Sequence, residues 1–403
     1  MSKRILIVNK FLYPRGGDCI VALSEAELLR SAGYEVALWG MDYPENIPTD
    51  TSRLYAPQVG FSGGSLRDKL NAAGRLLGLG DVRTSFARML REFRPHTVHF
   101  HNIHSYLSPV IVEMAHRAGI RTLWTMHDYK LTCPSYSCLS PDGHLCNECV
   151  DKPWAVVSRR CMKGSLAASI MARAEAWRWN VGRLSASTDA FICPSEFMAE
   201  MIMAGGVPRG KIHVIGNFLD PAKAEILSSI PADSHRTPGM MLYVGRLSAE
   251  KGIATLLATF ASMNEPAMKL RVFGNGPLES ELRNNYGSFP GIEFMGHADA
   301  RTVATEMSAA QMLIAPSECY ENNPLSVIEA LSAGTPVLGA DIGGIPELIS
   351  PSTGMLFEPG DSYAIEGAIR GMLVRSFNNP AIKAASLDRF SSRQHFSRIE
   401  KLL

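Results

Sequence analysis

The stretches "RILIVNKFLYPRGGD" (Arg4–Asp18) and "MMLYVGRLSAEKG" (Met240–Gly252) decide the fold between them. Each is a short apolar run without alternation, followed by a glycine-containing loop and the opening of a helical pattern. A strand that is apolar on both faces belongs inside a parallel sheet. After the first stretch, Ala22, Leu23, Ala26, Leu28 and Leu29 line one broad helix face that ends at Gly33, and "YEVALWG" (Tyr34–Gly40) supplies the next strand. Strand, helix and strand within about 40 residues form a βαβ unit. "HTVHFHN" (His96–Asn102), the helix "SPVIVEMAHRAG" (Ser108–Gly119), "IRTLWTMHD" (Ile120–Asp128), "DAFICPS" (Asp189–Ser195) and "IHVIGNF" (Ile212–Phe218) carry the pattern to residue 218.

The pattern pauses over Pro221–Gly239, which holds three prolines, and restarts at Met240. "MKLRVFGNGP" (Met268–Pro277), "GIEFMGH" (Gly291–His297), "AQMLIAPS" (Ala310–Ser317) and "TPVLGAD" (Thr335–Asp341) are further short strands between helices. The chain therefore reads as two α/β domains of similar design, which also suits 403 residues, too many for one compact core. The last helical stretch, from about residue 381 to 403, fits either domain.

Hydrophobic residues make up 46% and charged residues 20%, as in ordinary soluble proteins. A formal net charge of +1 gives no case for nucleic acid. No apolar run reaches bilayer length, and "MSKRILIVNKF" lacks a secretory core, so a cytoplasmic location is expected. Eight cysteines in that setting are expected as thiols or metal ligands.

Chemistry concentrates in "ECYENNPLSVIEALSAGTP" (Glu318–Pro336). Asn323 suits an N-cap and Pro324 the first helical position, with Gly334 as the stop. The free N–H groups of Leu325, Ser326 and Val327 then make an anion site at the helix start. Glu321 precedes the helix and Glu329 lies inside it. Acids are favoured near any helix start, which accounts for Glu321 alone but poorly for Glu329. With a diphosphate at the helix end, Glu329 accepts from a ribose diol and Glu321 from sugar hydroxyls, because carboxylates are pure acceptors. Arg246 and Lys251 flank the loop after Met240–Val244 as a cationic clamp for that diphosphate. "FGNGP" adds Asn275 and Gly276 at another strand-to-helix turn.

"GRLSAEKG", "FGNGP", "FMGH", "PSECYENNPLSVIEALSAGTPV" and "GGIPELI", in that order, resemble the retaining glycosyltransferases of family 4 across nearly the whole C-terminal half. "PRGGD", "HFHN" and "TMHDY" resemble them more loosely in the N-terminal half. The resemblance implies the GT-B fold: two Rossmann-like domains facing a cleft, an acceptor-side domain over 1–218 and a donor domain over 219–384. It implies that a terminal helix, about 385–403, crosses back to the first domain. It places the family's E-x7-E pair on Glu321 and Glu329. Asn322 stands where many members carry glycine; Asn tolerates unusual backbone angles well, so the loop is expected to persist with an altered sugar preference.

Gly16 and Gly17 follow the first strand, where open α/β sheets bind ligands, although a glycine pair is often only a turn. His127 ends the strand "TLWTM"; a lone histidine is usually structural, but the resemblance places it against the transferred sugar. His101, Asn102 and His104 are weaker acceptor contacts. No Asp-x-Asp stands at a strand end, so no catalytic metal is expected, with Arg246, Lys251 and the helix start holding the leaving group. The resemblance further implies retention by a front-face route in which the departing phosphate helps deprotonate the acceptor.

Five of the eight cysteines fall between Cys133 and Cys161, and "CNEC" is a C-x2-C knuckle. Cys133, Cys146, Cys149 and Cys161 are the preferred ligands of a structural Zn²⁺, with Cys138 spare; the alternative is a loop of unpaired thiols. Beyond it, Arg159, Arg160, Lys163, Arg173, Arg178 and Arg183 mix with Trp177 and Trp179, which suits either an anionic-lipid face or an ordinary solvated helix.

The reading is a cytoplasmic hexosyltransferase, peripheral on the inner membrane face. It would move a sugar from a UDP-, GDP- or ADP-sugar to a growing glycan or lipid-linked acceptor in capsule, exopolysaccharide or lipopolysaccharide synthesis. Its rivals are a nucleotide-sugar epimerase of the same fold and a silent nucleotide-sugar-binding protein.

Overall fold

The computed structural model describes residues 3–60, 65–231 and 236–403. Residues 232–235, inside the proline-rich stretch read as a domain boundary, lie outside the described residues. The chain divides into Met1–Ile215 with Phe396–Leu403, and Gly216–His395.

The first unit is built on six parallel strands: β1 (Arg4–Val8), β2 (Glu35–Trp39), β3 (Thr97–Phe100), β4 (Arg121–Thr125), β5 (Ala190–Cys193) and β6 (Ile212–Val214). Their order is β2-β1-β3-β4-β5-β6. Ile5 to Val8 are buried on both faces, which explains why the run does not alternate. The helix Gly17–Ser31 returns the chain from β1 to β2 and buries Ala22, Ala26 and Leu29. Trp39, Phe86 and Phe100 are among the largest fully buried side chains. At the far end of the chain, Ile399 and Leu402 pack with Leu123, Ile192 and Ile215.

The second unit repeats the design with β7 (Thr237–Val244), β8 (Lys269–Phe273), β9 (Ile292–Gly296), β10 (Ala310–Ala315), β11 (Val337–Ala340) and β12 (Gly354–Phe357), all parallel, in the order β12-β11-β10-β7-β8-β9. This is the doubly wound order whose direction reverses between β7 and β10. Met241, Leu242, Val272, Leu313, Ile314 and Leu338 fill its core.

The unit boundaries fall at 215/216 and 395/396, whereas the sequence suggests 218 and 384. Contacts within the second unit explain both shifts. Asn217 is bonded to Asn323, Phe218 stacks on His395 at 4.2 Å, and Phe390 is buried in the second unit's core, where its carbonyl accepts from the Leu219 amide at 2.9 Å. The terminal stretch is likewise not one helix but Asn379–Arg389, Ser392–Ile399 and a short 3-10 turn, Glu400–Leu402. Among the described residues, no helix is long and apolar enough to cross a membrane.

Candidate functional site

In the second unit the loops after β7 and β10 meet where the strand order reverses, the place where open α/β sheets bind ligands. Gly252 has φ +65°, and a Cβ there would lie 1.8 Å from the Pro316 carbonyl oxygen. Only glycine lets the two loops press together this closely. The Glu318 amide then donates to the Glu250 carbonyl at 3.0 Å, and Tyr243 Oη donates to the Arg246 carbonyl at 2.7 Å. This lacing sets Lys251 Nζ 2.5 Å from Glu321 Oε1, and Ser317 Oγ donates to the same oxygen at 2.6 Å. Burial works against the Lys251 charge, but Glu321, Cys319 and Glu250 together outweigh it and hold the pKa above the usual lysine value. Gly343, with φ +59°, lies so close to Glu321 that a Cβ would meet its carbonyl oxygen at 2.3 Å. The Gly344 amide donates to that carbonyl at 2.7 Å. The "GGIPELI" motif thus cradles the backbone of Glu321.

The two expected cations differ. Lys251 is ion-paired. Arg246 is exposed, and its guanidinium makes no hydrogen bond or ion pair among the described residues. Asn275 is exposed, and its carbonyl accepts from the Leu247 amide at 3.0 Å. Gly276 lies in the same turn, where the Leu278 amide donates to the Leu247 carbonyl at 3.0 Å.

The helix spans Leu325–Ser332, and its N-cap is Pro324, not Asn323. The Asn323 side chain is engaged elsewhere: its Oδ1 accepts from the Asn217 amide at 2.9 Å, while its carbonyl accepts from Asn217 Nδ2 at 2.7 Å. The Val327 amide donates to the Pro324 carbonyl at 3.2 Å. Of the three amides expected at the helix start, Leu325 and Ser326 therefore remain without a hydrogen bond among the described residues. Glu329 sits one turn in, with Oε1 2.5 Å from Lys223 Nζ on the helix Pro221–Ser229. Asn322 is half-buried between the acid and this helix start.

In the first unit the corresponding edge joins the ends of β1, β3 and β4. Gly16 caps the helix Gly17–Ser31 in an extended conformation, and Gly17 is exposed at its start. Asp18 Oδ2 accepts from Asn102 Nδ2 at 3.0 Å. Burial raises the Asp18 pKa, but Lys10, His127 and Asn102 together outweigh it and leave it below the usual value. His127 Nε2 lies 2.9 Å from His101 Nδ1. Burial pulls the His127 pKa down to about 4 against the pull of Asp18, so the ring is neutral near pH 7. Behind this pair, His99 Nδ1 is 2.5 Å from Glu25 Oε1 and His99 Nε2 is 2.8 Å from Thr125 Oγ1, all buried. The His104 ring lies tilted against Trp124 with centroids 5.2 Å apart, and burial holds its pKa well below the usual value.

The structure thus gathers Gly16, His101, Asn102 and His127 at one edge of the first unit, and Arg246, Lys251, Glu321, Leu325, Ser326 and Glu329 at one edge of the second. Sequence reasoning did not name Asp18, Lys10, Ser317 or Lys223 as site residues. Asp18 had a local signal, the acid closing "PRGGD". Lys223 had none, since its partner is 106 residues away.

The cysteine segment has little regular structure beyond the single turn Ala155–Ser158. Cys133 Sγ lies 3.1 Å from Ser135 Oγ. A hydrogen bond from Cys138, which outweighs burial, brings the Cys133 pKa down to about 6. Burial and the Cys133 charge raise both Cys149, to about 11, and Cys161. Among the described residues, no three of these sulfurs lie within 4.8 Å of one another. Among the described residues, the group of three ligand atoms within 4.8 Å of one another is Glu25, His99 and His101, and its Glu25–His99 contact is a direct hydrogen bond.

Two Rossmann-like units with the terminal residues returned to the first are the GT-B architecture. The chain belongs to Glycosyltransferase Family 4: that family's model matches residues 16–223, and the model described as glycosyl transferases group 1 matches 238–374. It is similar to glycogen synthase of Mycobacterium tuberculosis (strain ATCC 25618 / H37Rv), 28% identical over 53% of this chain and 50% of that one. It is also similar to the putative colanic acid biosynthesis glycosyltransferase WcaL of Escherichia coli (strain K12), 27% identical over 44% of this chain and 46% of that one. The chain spans about half the length of these curated relatives. The crystal structure of Anabaena HepE in complex with UDP and glucose shares the fold, with a TM-score of 0.65, 15% identity and 99% of both chains covered.

Proposed function

We propose that the chain transfers a sugar, with retention of configuration, from a nucleotide-sugar donor to a growing glycan or lipid-linked acceptor. The observation that carries this reading is the placement of Glu321 and Glu329 on either side of a helix start with two open amides. Both side chains are 14% exposed. Each therefore keeps access to a ligand while an internal lysine holds one of its oxygens. A diphosphate at Leu325 and Ser326, ribose hydroxyls on Glu329 and sugar hydroxyls on Glu321 satisfy all of these groups at once. The HepE complex supports a nucleoside diphosphate and a hexose as the ligand class. The WcaL relative is named for colanic acid biosynthesis, which supports a polysaccharide-building pathway, and within it we read capsule, exopolysaccharide or lipopolysaccharide assembly.

In this reading the bond from the anomeric carbon to the phosphate oxygen breaks as the acceptor oxygen bonds to the same carbon on the same face. The acceptor proton passes to the departing phosphate. Arg246 and the two helix amides stabilise the charge that develops on the diphosphate. Lys251 both fixes Glu321 and adds positive charge beside it. Neutral His127, held by His101, offers a hydrogen bond to the transferred sugar. The test is release of nucleoside diphosphate from UDP-, GDP- and ADP-sugars with and without a lipid-linked glycan acceptor. Acceptor-dependent release with one of the donors supports the proposal. Donor binding with no release in the presence of acceptor, or a free sugar epimer as product, refutes it.

A further inference from the structure

The helix Leu166–Arg178 of the first unit is inverted for a soluble protein. It buries its small and polar residues, Ser169, Ala172 and Glu175. It exposes its large apolar ones: Leu166 is 47%, Ile170 46% and Trp177 70% accessible. With Arg173 these fall at i, i+4, i+7 and i+11, one narrow stripe about 16 Å long. Trp154, 63% exposed, extends the stripe sideways, with the Arg173 guanidinium 5.2 Å from its ring. Burying such a face against the body of the protein would stabilise it, so its exposure marks a contact surface.

The charge around the stripe says what the contact is. From Glu148 to Arg183 the chain carries seven basic residues against three acids, and Arg183 is paired with Glu113 outside the segment, which leaves a surplus of three in a protein of net charge +1. Two of those acids are spoken for: Glu175 is buried against Lys130 at 3.0 Å, and Glu148 pairs with Arg159 at 2.6 Å. Lys152, Arg160 and Lys163 are exposed, and no acid pairs with them or with Arg173 among the described residues. A partner protein surface of ordinary composition would leave these charges uncompensated. An anionic lipid surface answers both features, because its headgroups face the cations while its acyl boundary takes the tryptophans and aliphatics.

We propose that this face docks the protein on an anionic bilayer surface, with Trp154, Leu166, Ile170 and Trp177 entering the headgroup boundary and Arg160 and Lys163 facing the lipid phosphates. The proposal stands apart from the transferase reading, since binding is measured without turnover. The probe is the full chain with vesicles of phosphatidylcholine containing one quarter phosphatidylglycerol, against pure phosphatidylcholine, followed by flotation and tryptophan fluorescence. Binding to the anionic vesicles with a blue shift is expected, weakening at high salt. Each lysine or arginine near an anionic surface multiplies partitioning about fivefold, so Arg160→Gln with Lys163→Gln should lower it about 25-fold. Trp154→Ser with Trp177→Ser should abolish the blue shift. All four side chains are exposed, and circular dichroism verifies folding. Equal binding to both vesicle types, or unchanged partitioning of both double variants, overturns the proposal. So does a wild-type dimer that the tryptophan variant dissociates, which would assign the face to a second copy of the chain.

Discussion

Replacing Glu329 with alanine removes the carboxylate assigned to the ribose, and the structure sets the size of the effect. In the free protein Glu329 is paired with Lys223 at 2.5 Å, with side-chain exposures of 14% and 30%. A pair this open to water is worth under about 1 kcal/mol, so the fold should lose little. A hydroxyl donating to a carboxylate contributes about 1.5–3 kcal/mol, which is about ten- to a hundredfold in Kd. Only Oε1 is held by the lysine, so Oε2 is open to a hydroxyl, and a loss toward the lower end of that range is expected. Calorimetry with whichever nucleotide sugar gives the largest thermal shift is the assay. Lys223→Met is the necessary control, because Glu329→Ala also leaves that lysine without its carboxylate. The control should change Kd by no more than about fivefold, the worth of an exposed ion pair. Unchanged donor affinity in folded Glu329→Ala protein refutes the ribose role. An equal loss in Lys223→Met shows that Glu329 acts only by holding the lysine.

Arg246→Ala should lower kcat by about 10²–10³ while KM changes less, because the charge it meets develops only in the transition state. Arg246→Lys should also be impaired if the guanidinium fork grips two phosphate oxygens; full activity in that variant rules the fork out. Lys251→Ala should raise KM as well as lower kcat, since it also frees Glu321 from its 2.5 Å contact; a pure kcat effect would contradict the pairing. His127, with its pKa near 4 in the fold against about 6.5 unfolded, binds fewer protons folded than unfolded between those values. Its contribution to stability is therefore complete above the upper value and is lost as pH falls. His127→Gln should flatten the fall in unfolding free energy from urea titrations over that window, by up to about 1.4 kcal/mol per pH unit; an unchanged slope refutes the neutral assignment. We also propose that Cys133, Cys146, Cys149 and Cys161 take up about one structural zinc ion per chain, drawing their sulfurs together. Metal analysis finding none, with all five thiols of the segment titrating in native protein, would dismiss it. Turnover should survive a short EDTA treatment that leaves the fold intact; loss of turnover restored by magnesium would overturn the metal-free route.

Both sheets were readable in the sequence because parallel strands buried on two faces leave continuous apolar runs, as in Ile5–Val8 and Met312–Ile314. The placement of Glu321 before the helix Leu325–Ser332 and of Glu329 inside it was readable because a helix start is a local event, set largely by residues close in sequence. The error at Asn323 shows where local reasoning stops. Asparagine is a good N-cap by propensity, and nothing nearby in sequence competes for it. The competitor is Asn217, which takes the side chain and shifts the cap to Pro324. The same limit hid Lys223 from Glu329 and Glu25 from His99, pairs 106 and 74 residues apart. Each of these is a polar contact between secondary-structure elements, where a charge or amide left inside the fold must find a partner from any part of the chain. Periodicity says which face of an element is buried but not which polar group will meet it there. Lys251 is the intermediate case: its loop was legible, but its pairing with Glu321 depends on how closely Gly252 lets that loop approach Pro316. A residue larger than glycine at 252 should therefore break the Lys251–Glu321 pair by pushing the two loops apart, and a nucleotide-sugar Kd unchanged in Gly252→Ala would refute this.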